Sequence, residues 1–98
     1  MNNQENALVA QFEKFADEEL NKAKTKLSYV PHTGTISNYS ERLNIFNENL
    51  KHLNDIFISN INSMLDKNNS SPDNTKLKES LFGISKRRIE DFITFFKN

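Results

Sequence analysis

The chain has 98 residues, 13 Lys and Arg balanced by 13 Asp and Glu, and neither Cys nor Trp. That length predicts one domain spanning 1–98. Zero net charge counts against a general nucleic-acid or membrane-surface binder, which carries a basic surplus. The absence of Cys excludes disulfide scaffolds, thiolate metal sites and Cys nucleophiles. The longest apolar run is four residues, Ala7-Leu8-Val9-Ala10, far short of a bilayer span. The opening Met-Asn-Asn-Gln-Glu-Asn has neither the basic start nor the apolar stretch of a secretory signal, so a cytoplasmic location is expected. Fifteen Asn, and ten Lys against three Arg, are a bias associated with AT-rich genomes, as in a low-GC bacterium or its phage.

Two Gly in the whole chain are too few for a hairpin-rich sheet, and the apolar spacing is helical. The first helix is expected over about 3–28. Asn2 and Glu5 have the spacing of a capping box. Leu8, Phe12 and Phe15, then Ala16, Leu20, Ala23 and Leu27, recur at three- and four-residue steps. Acids lie early and lysines late, as the helix dipole favours, and Pro31 stops the helix by about residue 28.

The second helix is expected over about 38–65. Asn38 and Glu41 repeat the capping-box spacing. Tyr39, Leu43, Phe46, Leu50, Leu53 and Phe57 then follow a strict alternation of four- and three-residue steps, a heptad seam. At 1.5 Å per residue this helix is roughly 43 Å long. The third is expected over about 72–97, entered by Ser71-Pro72-Asp73, with a cap, a first-turn proline and an acid. Gly83 divides its apolar residues into Leu77, Leu81 and Ile84 before Ile89, Phe92 and Phe96. The glycine is therefore expected to kink or break helix 3.

The polar connections at 29–37 and 66–71 are turn-rich, and the second is short enough to join only antiparallel neighbours. The fold class is thus all-α, an up-down-up three-helix bundle with long helices. In it, Phe92 and Phe96 should meet Phe46 and Tyr39, while Phe12 and Phe15 should meet Phe57 and Phe82. A domain this small buries only about two thirds of its unfolded surface, so self-association would complete the core.

Three groups of residues are candidate sites. Lys86-Arg87-Arg88 is the basic cluster within 76–88, a region with a surplus of four positive charges and the potential for phosphate contacts. Its text, Leu81-Phe82-Gly83-Ile84-Ser85 running into Lys-Arg-Arg-Ile, resembles the turn of a helix-turn-helix. Glu79 and Lys78, however, stand where that motif wants small and apolar residues, and a charge buried there would cost several kcal/mol. Glu48, His52 and Asp55 share one face of helix 2, but a metal site in a bundle needs further ligands from other helices, so no metal or cofactor is expected. Phosphate loops, nucleophile elbows and zinc-protease motifs are absent from the sequence, and adjacent acid pairs such as Glu18/Glu19 point about 100° apart on a helix.

The third group is apolar residues off the main seams: Ile45, Ile56 and Ile58 on helix 2, and Ile93 and Phe95 on helix 3. Contact with two neighbours accounts for Ile45 and Ile56. Ile58, Ile93 and Phe95 are the candidate partner-binding residues. The sequence is read as a non-enzymatic interaction protein of adaptor, chaperone-like, immunity or inhibitor type, docking an apolar helix face on a protein partner or its own copy. The alternative is a nucleic-acid-binding regulator using Lys86, Arg87 and Arg88.

Overall fold

A computed structural model describes residues 2–30, 36–68 and 74–98, with side chains of the middle segment from residue 39 onward. Three helices follow one another: α1 (Asn3–Ser28), α2 (Ile36–Lys67) and α3 (Thr75–Lys97). Each packs on both others, and the bundle is a rod of 55 × 17 × 16 Å. Among the described residues there is no strand, and no helix is long and apolar enough to cross a membrane.

Helix α1 starts where its capping box predicts. The Asn2 side-chain oxygen accepts from the Glu5 N–H at 2.8 Å, and the Glu5 carboxylate accepts from the Asn2 N–H at 3.1 Å. Phe12, Ala16, Leu20, Ala23 and Leu27 form its buried stripe. Near its end, the Thr25 and Ser28 hydroxyls donate to the carbonyls of Asn21 and Lys24. The Val30 N–H then closes onto the Leu27 carbonyl at 3.2 Å. Helix α2 begins at Ile36, two residues before the Asn38 start read from the sequence, so Asn38 lies inside the helix. The Ser71-Pro72-Asp73 entry, His32 and Gly34 lie outside the described residues. The third helix begins at Thr75 with Asn74 as its cap, three residues later than expected. The Asn74 side chain makes no capping bond, because its oxygen accepts from Asn68 instead.

The helix directions follow from cross-contacts. Glu5 meets Asn68 and Asn68 meets Asn74. Phe12 and Phe15 meet Phe57, while Asp17 meets Arg88 and Lys24 meets Phe95. Residue numbers rise together between α1 and α3 and run oppositely between α2 and either neighbour. The order is therefore up-down-up.

Two aromatic groups carry the bulk. Phe57 takes the Phe12 and Phe15 rings edge-on, at centroid distances of 5.7 and 6.2 Å. Phe46 stacks on Phe92 at 5.2 Å and on Phe96 at 4.1 Å. The edge-on Phe12/Phe15/Phe57 group and the Phe46–Phe92 pair lie within the range where ring pairs add to plain area burial. Tyr39 stays 60% exposed, bordering a recess with Arg42 and Phe96. At the opposite end of the rod sits a polar knot. Asn68, fully buried, donates its side-chain N–H groups to Glu5 Oε2 at 3.3 Å and to Asn74 Oδ1 at 3.0 Å. One amide thus ties the start of α1, the end of α2 and the start of α3.

Helix α3 runs unbroken through Gly83, which removes the broken-helix arm of the expectation. A Cβ built there would meet only the end of the Arg87 side chain, at 3.6 Å. Gly83→Ala should therefore gain nearly the full helix-propensity difference, about 1 kcal/mol, and raise the melting temperature by roughly 4–8 °C in a calorimetric scan. Asn68→Ala removes both donors and leaves Glu5 Oε2 and Asn74 Oδ1 without that partner. It should lower the unfolding free energy by about 1–3 kcal/mol, read from urea denaturation.

Candidate interaction surface

The heptad line read from the sequence and the stripe that α2 buries are not the same. Buried on α2 are Arg42, Phe46, Asn49, Leu53, Phe57, Ile61 and Met64, whereas Leu43 and Leu50 are only half-buried. A helix wedged between two partners turns the middle of its contact face toward the gap between them, off a line suited to one partner. Arg42 and Asn49 enter the buried stripe as a result, and each is accommodated locally. The Asn49 amide donates to the Ile45 carbonyl at 2.8 Å. The Arg42 guanidinium lies 5.0 Å from the Phe96 ring centroid, within cation–π range.

The same rotation leaves an apolar row on the α3 side of α2. Leu43, Leu50 and Ile58 lie on it, and Ile58 is 47% exposed. From α3 come Phe82, Ile89, Ile93 and Phe96, spaced by seven, four and three residues, all half-buried against the core. Ile58, Phe82 and Ile89 line a shallow groove of about 280 Å³, bordered by Asn54, Lys86 and Glu90. Ile45 and Ile56, on the other flank of α2, are half-buried against the core, as contact with two neighbours predicts.

The three candidate partner-binding residues do not share one surface. Ile58 is in the groove, and Ile93 continues its α3 wall one turn beyond Ile89. Phe95, two positions after Ile93, points about 200° round the helix. It packs against the core with the Lys24 ammonium 5.5 Å over its ring, on the α1 side. Phe82 and Ile89 complete the groove. Their signal in the sequence is the seven-residue step between them and the further four to Ile93.

The basic cluster is dispersed in the same way. Lys86, Arg87 and Arg88 leave α3 at successive 100° steps. Lys86 borders the groove, Arg87 is exposed, and Arg88 pairs with Asp17 of α1. The helix-turn-helix resemblance finds no turn, since residues 81–89 lie inside one helix, and Lys78 and Glu79 are exposed. Glu48, His52 and Asp55 are exposed along one face of α2. Glu48 and His52 border a depression with Lys26, Tyr29 and Glu41, whereas Asp55 opens on another beside Phe15. Among the described residues no three His or carboxylate side chains gather as metal ligands would.

The chain matches no protein-family model, and comparison with characterised proteins and with solved structures finds no significant match.

Burial separates the two kinds of apolar candidate energetically. Phe95→Ala, which strips a ring from the core edge and from beneath Lys24, should lower stability by about 1–2 kcal/mol. Ile58→Ala should stay within about 0.5 kcal/mol. Parallel urea titrations of the two variants measure the difference.

Proposed function

We propose that the chain is a non-enzymatic protein-interaction module of the cytoplasm that docks through the groove between α2 and α3. The observation that carries this reading is the pairing of a 47% exposed Ile58 with the half-buried Phe82 and Ile89. An aliphatic side chain standing over an apolar cleft has unspent burial, about 25 cal/mol for each Å² that a partner removes from water. The chemistry around it fits docking better than turnover. The groove brings together one ammonium, one carboxylate, a Ser and an Asn, without the convergent acid–base or nucleophile–base geometry that catalysis requires. Partner recognition by two helices offering apolar residues at helical spacing is a recurrent binding mode. A small central set of apolar anchors within a polar rim is the pattern that concentrates binding energy at interfaces.

A photo-reactive residue in place of Ile58, used in the cell that makes the protein, should give discrete protein adducts. The same residue in place of Lys14, on the exposed face of α1, should give none, and Ile89→Asp should abolish the adducts at position 58. Indiscriminate labelling from both positions, or none from position 58, would remove the groove as a docking surface.

A further inference from the structure

We infer that the occupant of the groove is a second copy of this chain, related by a two-fold axis across the middle of α3. The inference rests on the groove being a docking surface, and it adds which partner fits. The first argument is the order of side chains along the exposed wall of α3. Phe82, Lys86, Ile89, Glu90 and Ile93 read apolar, basic, apolar, acidic, apolar. In an isologous contact residue i meets j while j meets i. Turning the wall end for end about the level of Arg88 sets Lys86 opposite Glu90 of the other copy, twice, and Phe82 within one residue of the level of Ile93, twice. On α2 the same operation sets Ile58 opposite Leu50. The row is its own complement in both charge and apolarity. Within one chain Lys86 and Glu90 make no ion pair, although both border the groove.

The second argument is area. A stable association buries about 800 Å² on each partner. The ends of a rod measuring 17 × 16 Å cannot supply that, whereas one side of its 55 Å length can. The level of Arg88 is close to the midpoint of Thr75–Lys97, so the two rods overlap along most of their length. Zero net charge adds no long-range repulsion between copies.

Sedimentation velocity of the purified chain across a concentration series tests the arrangement. The expected result is a reversible dimer. Lys86→Glu, which sets like charges opposite each other, should weaken it about tenfold or more, and Lys86→Glu with Glu90→Lys should restore it. Ile58→Asp should give a monomer with an unchanged helical circular dichroism spectrum. A wild-type monomer at every concentration, or a dimer indifferent to both Ile58→Asp and Lys86→Glu, overturns the inference. The crosslinking experiment separates the two levels. A pure monomer that yields a groove-specific adduct with a different protein overturns the second copy and keeps the docking surface. A pure monomer with no adduct removes both.

Discussion

Helix α2 must face two partners with one side. Everything distinctive about the bundle follows from that demand. A helix serving one neighbour needs a narrow apolar line; a helix between two needs a wide face. The wide face of α2 is centred on Phe46, Leu53, Phe57 and Met64. On one flank it takes in Asn49 and Arg42, whose polar groups it accommodates with a backbone carbonyl and an aromatic ring. On the other it leaves Leu43, Leu50 and Ile58 incompletely covered. The buried polar residues and the exposed apolar ones are therefore one phenomenon, a contact face turned between two demands. The groove is its residue.

Register along the rod is held differently at its two ends. Near residues 46 and 92–96 the holding is aromatic, with Phe46 stacked against two α3 rings. Stacking of this kind favours close packing but tolerates small slips. Near residues 5, 68 and 74 the holding is polar. Asn68 spends its donors on partners from α1 and the start of α3, and its own oxygen remains buried without a hydrogen bond. Hydrogen bonds demand distance and angle together, and a buried group that misses its partner is costly. The polar end therefore defines where the helices align, and the apolar length between contributes most of the stabilisation.

Local features of the fold were legible in the sequence. The Asn2–Glu5 box and Pro31 bounded α1, and the apolar steps of Phe12, Phe46, Phe57 and Phe92 identified residues that do meet. The misses came from information that a one-dimensional pattern does not carry. Heptad spacing locates a line on α2 without saying that two partners will pull the buried face off it, so it predicts Tyr39 in the core and leaves Asn49 out. The role of Asn68 depends on Glu5, 63 positions away, and no local spacing encodes it. Gly83 looked like a joint because glycine weakens helices. Leu81, Ile84 and Ser85, all buried, hold the helix on both sides of it, so tertiary packing overrides propensity. For the candidate site, Ile58 and Ile93 were recognisable as surplus apolar residues. Phe95 has the same surplus pattern in the sequence, and only its contact with Lys24 of α1 distinguishes it.

An odd number of antiparallel passes has a geometric result of its own. The first helix begins at one end of the rod and the third finishes toward the other; with Asp17 level with Arg88 and Lys24 level with Phe95, about 25 residues of helical rise, roughly 38 Å, separate the two described ends of the chain. A bundle with an even number of helices returns its chain to the starting point and can be inserted into a loop of another protein. This one cannot without stretching its host. It is instead a natural spacer: two modules fused to its ends would be held at a set separation by rigid helix rather than by flexible linker. Joining its ends to make a circular permutant would need a tether of at least about 11 extended residues.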